Sequence, residues 1–350
     1  MSTPPRQSHY LHPAQRAWIQ QLKRQWLWRL ELPTWWVMAL VYGGWFGVVL
    51  CWQTLGPWLG TPLLILLTTG YMSLQHELIH GHPTRWPRLN QLFGLAPLAV
   101  WYPYGLYRDT HLQHHRNSHL TDPRHDPESY YFSAAQWQRL PAAVVWLVTI
   151  RNTLPGRIFL GPLWDIGSTA FGALKSVTAG DGRALMMWLI HGALLTCLLG
   201  WLQRQGVSPL FYLLAVSYPA LAITKIRSFY EHRAERAVPA RSVINEAGWP
   251  WRLLFLNLNY HLVHHDLPGL PWYGLRKVYQ AERVAYRQRS QGFVVQGYGR
   301  WLADHAVAPV SVAVHPFLAG ESTEHQGVVA PSAAIVARGK RAVADFCIEK

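Results

Sequence analysis

Four apolar runs of near bilayer-spanning length, set in two closely spaced pairs, limit the possible folds of this chain more than any other feature. A helix needs about 20 predominantly apolar residues to cross a bilayer. The runs Trp35–Trp52, Pro57–Gln75, Ala184–Leu202 and Pro209–Ile226 approach that length, and none contains Asp, Glu or Arg. Lys225 stands at the edge of the last run, where it is expected to snorkel to the interface. Only Gln53–Gly56 and Gln203–Ser208 separate the members of each pair, so each pair reads as a helical hairpin that crosses and returns. Trp35, Trp36, Trp52, Trp58, Trp188 and Trp201 lie near the ends of the runs, where interfacial aromatics are favoured.

Composition excludes several alternatives. The chain is 50% hydrophobic and only 14% charged, against about 25% charged in an ordinary soluble domain, which rules out intrinsic disorder. Cys51, Cys197 and Cys347 are too few and too scattered for a disulfide framework or a cysteine-based metal site. A net charge of +14 suits either nucleic acid or an anionic membrane surface; the apolar runs decide for the membrane, and no nucleic-acid partner is expected. The short connections within the pairs hold one basic residue, Arg204, whereas the segment before the first run, the segment between the pairs and the stretch from Arg227 to Trp301 hold five, ten and eleven. By the positive-inside rule those three segments face the cytoplasm. The first 30 residues have no apolar core, so they are not expected to be a cleaved signal peptide.

The expected architecture is therefore an all-α integral membrane protein. Residues 1–34 read as a basic cytoplasmic segment, 35–302 as the membrane domain, and 303–350 as a mobile tail with one short helix near its end and no assigned chemistry. The apolar runs Leu92–Trp101 and Pro141–Ile150 are too short to span and read as interfacial or re-entrant.

Ten of the 18 histidines fall in three short windows, His76–His82, His111–His119 and His261–His265. Their spacing carries the chemistry. His76 and His80 are four apart, and His111, His114, His115 and His261, His264, His265 both follow i, i+3, i+4, so each set shares one helix face. Eight imidazoles from three segments exceed what one tetrahedral zinc accepts and suit two metal ions, iron among them. The stretch His76-Glu77-Leu78-Ile79-His80 also matches the HExxH signature of zinc proteases, but that reading leaves HLQHH and HLVHH without a purpose.

HELIH, HLQHH and HLVHH, placed around two hairpins, resemble the three histidine boxes of the membrane fatty acid desaturase/hydroxylase family. TDPRHDPES, NLNYHLVHHDLPGLPWY and RSFYEHRA resemble neighbouring segments of that family, and the similarity covers roughly Trp35 to Tyr279. It implies a cytoplasmic helical cap carrying a di-iron centre with nine ligands: His76, His80, His111, His114, His115, His232, His261, His264 and His265. No catalytic group beyond the metal centre is implied. Asn257, one turn before His261 if that segment is helical, is expected to hold a metal-bound water. The resemblance further implies dioxygen as co-substrate, oxidation of an unactivated C–H bond in a fatty acyl chain, and desaturation as the foremost outcome. Hydroxylation, carotenoid ketolation and terminal-alkene-forming decarboxylation are its alternatives within the family. A bacterial inner-membrane location would follow.

Several further residues carry expectations of their own. A ligating imidazole usually donates its second N–H to a carboxylate or carbonyl. Glu77, Asp109, Asp122, Asp126, Glu128, Glu231 and Asp266 are available, and Glu77, Glu231 and Asp266, each beside a proposed ligand, are favoured. His82, His119 and His125 flank the boxes as hydrogen-bonding or exposed groups. His191 lies in mid-span, a functional position by default, although a neutral imidazole bonded to a neighbouring helix serves equally well. His305, His315 and His325 are assigned nothing. Arg85, Arg88, Arg108 and Arg227 are available to capture a headgroup, although positive-inside placement also explains them. No flavin, nicotinamide, haem or iron–sulfur motif appears in the sequence, so electrons are expected from a ferredoxin or similar carrier with its reductase.

Overall fold

Apolar segments that must satisfy their own backbone fold as helices, and the computed structural model, which describes residues 8–318, is mostly helical. The principal helices are α1 (Pro13–Arg24), α2 (Leu32–Leu50), α3 (Trp52–Ile79), α4 (Pro87–Gly94), α5 (Tyr104–His114), α6 (Ala142–Arg151), α7 (Leu154–Thr178), α8 (Gly182–Arg204), α9 (Pro209–Tyr230), α10 (His261–Asp266), α11 (Trp272–Ala281) and α12 (Tyr298–His305). One parallel pair of two-residue strands, β1 (Ile244–Asn245) and β2 (Val294–Val295), braces the segment before α10.

Three helices are long and apolar enough to cross a membrane: α2, α8 and α9. On α8, Leu185, Met186, Leu189, Ile190 and Leu194 are all exposed, a contiguous apolar face of the kind that marks lipid or protein contact. The fourth expected run lies on α3, which packs between α2 and α9. There Gly56, at φ +66°, separates the opening turn from the long helix that starts at Pro57.

The 25-residue α7 was not expected from the sequence. Thr153 caps its first turn by accepting from the Gly156 N–H at 3.1 Å. A Cβ on Gly156 would lie 1.8 Å from the Ile150 carbonyl oxygen, so only glycine allows the ends of α6 and α7 to meet this closely. Helix α7 packs along α8 and α9. Lys225 of α9 does not snorkel to an interface; it is buried and forms an ion pair with Asp165 of α7. A carboxylate on an unforeseen helix had removed the reason to reach for water.

The segment between α4 and α5 is irregular yet buried at Leu98, Ala99 and Val100. Backbone of this kind is tolerated among apolar helices only if its polar groups find partners in the protein. Here side chains supply them one after another. Tyr71 donates to the carbonyls of Gly94 (2.9 Å) and Ala96, Tyr212 to Leu98 (2.6 Å), Ser217 to Ala99 (2.8 Å) and His191 to Val100 (2.6 Å). A π-helical turn at Tyr212–Ser217 brings those two donors, five residues apart, toward one face of α9. His191 therefore bonds to an irregular segment rather than to a neighbouring helix.

A second core lies on the site side, where Ile19, Leu22 and Trp28 pack with Leu262, Val263, Leu275 and Val278. The basic N-terminal segment thus packs, from Tyr10 onward, against α10 and α11. The first part of the expected tail also packs: Val310 N–H donates to the Asn152 carbonyl (2.8 Å), and His315 N–H to that of Phe132 (2.9 Å). The remainder of the tail, with the expected short helix and His325, lies outside the described residues.

Tyr212→Phe should leave the Leu98 carbonyl without its donor and lower stability by about 1–3 kcal/mol. Thermal unfolding in detergent checks this, and an unchanged melting temperature would show that the carbonyl is satisfied in some other way.

Candidate metal centre

Four chain segments deliver histidines to one place. The end of α3 carries His76 and His80, α5 and its cap carry His111, His114 and His115, the turn after α9 carries His232, and α10 carries His261, His264 and His265. All nine converge in two groups. His76, His80, His111, His115 and His264 form the first, and His114, His232, His261 and His265 the second; within each, one nitrogen per ring lies within 4.8 Å of the others. His82, His119 and His125 join neither group. His82 Nδ1 instead meets Glu31 at 2.7 Å, and His125 Nδ1 meets Asp122 at 3.3 Å.

The rings meet through Nε2. Separations are 3.1 Å for His80–His111 and His111–His115, 3.0 Å for His115–His264, 3.1 Å for His114–His232 and His261–His265, and 2.9 Å for His232–His261. Several outer nitrogens are held from behind. His111 Nδ1 meets Glu128 at 3.0 Å, His114 Nδ1 meets Asp126 at 2.9 Å, His232 Nδ1 meets the Arg241 carbonyl at 3.3 Å, and His261 Nδ1 lies 3.5 Å from Glu231. A carboxylate or carbonyl at Nδ1 fixes the proton there, which turns the Nε2 lone pair inward.

Inward lone pairs about 3 Å apart repel unless something electropositive lies between them. Protons are a poor answer. Burial, followed by repulsion from neighbouring rings, holds His115, His232, His261 and His265 well below the ordinary imidazole range. His114 is the exception: burial would lower it too, but Glu128, Asp126 and Glu231 lift it to about 9, so a metal bound there would displace a proton. Groups of five and four imidazoles, each with one nitrogen per ring within 4.8 Å of the others, fit a pair of metal ions.

A cavity of about 540 Å³ adjoins both groups, with His76, His111, His232 and His261 in its wall and α7, α8 and α9 around it. That volume lies within the range of small-molecule sites.

Residues 55–297 match the family described as fatty acid desaturase. The chain belongs to that family. A curated relative, the sn-1 oleoyl-lipid 12-desaturase of Picosynechococcus sp., is 26% identical over 230 residues, covering 60% of this chain. The chain spans 64% of that relative's length.

Against this frame, the supporting residues of this desaturase-family chain are only partly those expected. Glu231 stands behind His261, as its position suggested, and also pairs with Arg227 at 2.6 Å. Glu77 makes no hydrogen bond to an imidazole, its Oε1 lying 4.0 Å from His76 Nδ1; it accepts the Trp272 backbone N–H at 3.1 Å, and burial pushes its carboxyl up to about 7. Asp266 turns away and pairs with Arg289, as neighbouring residues on a helix must diverge. Asn257 precedes α10 in a turn at φ +55°, not on a helix, and donates to the Trp272 carbonyl at 3.1 Å. Glu77 and Asn257 thus grip both backbone groups of Trp272 and tie the first box to the start of α11. The HExxH reading is set aside because the histidines of HLQHH and HLVHH converge with His76 and His80 rather than standing apart from them.

The carboxylates that do back the rings, Asp126 and Glu128, sit 12 and 17 residues beyond the histidines they hold. Their signal was the Asp-Pro-Glu stretch rather than adjacency. Of the four arginines proposed for headgroup capture, Arg227 alone lines the cavity, and Glu231 already neutralises it.

Asp126→Asn should weaken metal retention about 10- to 100-fold without removing any imidazole. Metal content after dialysis against graded chelator checks this; retention equal to wild type would show that Asp126 does not tune its partner.

Proposed function

We propose that this chain is a membrane-embedded desaturase that introduces a double bond into a fatty acyl chain. The observation that carries the reading is the convergence of nine histidines, seven of them buried, in groups of five and four beside one acyl-sized cavity whose wall includes His76, His111, His232 and His261. Family membership and a relative named for desaturating an oleoyl lipid support it.

In this reading His76, His80, His111, His115 and His264 hold one iron and His114, His232, His261 and His265 the other. The pair of irons, with dioxygen and external electrons, supplies the oxidising power that acid–base chemistry cannot bring to a saturated C–H bond. The chain's own residues set the conditions. Asp126, Glu128 and the Arg241 carbonyl aim their rings and hold protons at Nδ1. Burial favours the neutral form of His76, His115, His232, His261 and His265, whereas His114 would give up a proton to a metal. The walls from α7 and α8 decide which carbon lies beside the histidines.

Four spans, at residues 35–52, 57–75, 184–202 and 209–226, form two hairpins, with N-terminus, histidines and C-terminus on the cytoplasmic side of a bacterial inner membrane. The basic excess on three of the connecting segments supports this orientation. Electrons arrive from a ferredoxin-like carrier and its reductase docking on that face.

Cells expressing the wild type should gain an unsaturated acyl product that is absent with His115→Ala, read by lipid, free-fatty-acid and hydrocarbon profiling with iron measured on the same preparations. An unchanged profile, with zinc the sole bound metal, would overturn the reading. The purified protein should be inactive with NAD(P)H alone and gain activity when ferredoxin and its reductase are added; turnover without a carrier would refute the donor assignment.

A further inference from the structure

Three cations reach the cavity wall, and two are neutralised within it: Lys225 by Asp165 and Arg227 by Glu231. The third is Arg151, the last residue of α6. It is only 4% exposed, yet no carboxylate among the described residues lies within 4.0 Å of its guanidinium. Its Nε has no hydrogen-bond partner. The group is held between aromatic faces instead, 4.9 Å from the Trp164 ring and 5.5 Å from that of Tyr130, both of which also line the cavity.

Asp165, already paired with Lys225, offsets the charge only from a distance, and a second cation adds to it. Arg157, 2% exposed, also lies against the Tyr130 ring, 3.9 Å from its centroid, and donates through Nε to the Arg151 carbonyl at 3.3 Å. Its Nη1 is unpartnered as well. Ring faces and a helix C-terminus each compensate only part of the desolvation of a guanidinium. Burial and repulsion by Arg157 bring Arg151 down to about 10, which leaves it charged at neutral pH. A planar fork of N–H donors, dry, charged and unpaired on a cavity wall, matches a carboxylate or phosphate in shape and sign.

We propose that Arg151 receives an oxyanion at the end of the substrate acyl chain, either a free carboxylate or a phosphate ester. The inference rests on the reading of the cavity as the acyl site. From Arg151 the chain would run beside the cavity face of α7, where Ser168, Thr169, Gly172, Ala173 and Ser176 recur at helical spacing and their small side chains leave room for it. The imidazoles of His76, His111, His232 and His261 border the same space. Anchoring one end fixes how far along the chain the carbon beside the histidines lies, so Arg151 would set position as well as affinity.

The test is equilibrium binding to the purified full chain in detergent, using three probes of equal acyl length: palmitate, methyl palmitate and 1-palmitoyl lysophosphatidic acid. Wild type should bind one of the anionic probes on the order of tenfold or more tighter than the ester. Tighter palmitate identifies a free acid as the source of the oxyanion, and tighter lysophosphatidic acid a phospholipid. Arg151→Met, which keeps the apolar stem against Tyr130 and Trp164, should erase the preference, and Arg151→Lys should keep part of it. Equal affinity of wild type for all three probes would overturn the proposal without recourse to any variant, as would a preference that survives in Arg151→Met. If none of the three binds, the acyl-site reading fails together with this inference; binding without discrimination sinks the inference alone.

Discussion

The centre depends on the hydrogen bond between a carboxylate and the outer nitrogen of an imidazole. A buried histidine has two equivalent-looking nitrogens, and only a partner on one side decides which lone pair points inward. Asp126 and Glu128 make that decision for His114 and His111. With it made, inward Nε2 atoms stand 2.9–3.1 Å apart in a dry interior. Such an array is repulsive by itself and complementary to a pair of cations. The fold around it, from the second core under α1 to the grip of Glu77 and Asn257 on Trp272, holds those rings against their own repulsion.

Much of this was legible before any coordinates. Helical spacing of i, i+3, i+4 is a local property, so three histidine sets could be assigned to shared faces from the sequence. The apolar runs mark helices because apolar backbone has no other way to satisfy itself; three of the four lie on helices long and apolar enough to cross a bilayer, and the fourth on α3 behind the Gly56 break. His232 has no such local partner and could be named only through the family resemblance.

What escaped the sequence was long-range or mixed in character. Helix α7 interleaves Arg157, Asp165 and Lys175 with apolar residues, so it resembles neither a span nor a loop. Without α7, Lys225 had no foreseeable partner, and Arg151 gave no sign that it would be buried. Adjacency misled the choice of supporting carboxylates. A residue beside a helical histidine points elsewhere, whereas Asp126 and Glu128 return across a turn to reach the rings. Asn257 failed as a helical neighbour because the backbone there takes a left-handed turn.

The irregular crossing between α4 and α5 has a mechanical consequence. Three long helices share its carbonyls: α3 through Tyr71, α8 through His191, and α9 through Tyr212 and Ser217. Separating any two of those helices would strand a polar atom where no water waits to replace its lost donor. The three are therefore laced into a single stiff frame. Whatever breathing admits a long, flexible guest has to come from the wall outside that lacing, where α7 rests on its neighbours without a comparable clasp to the crossing.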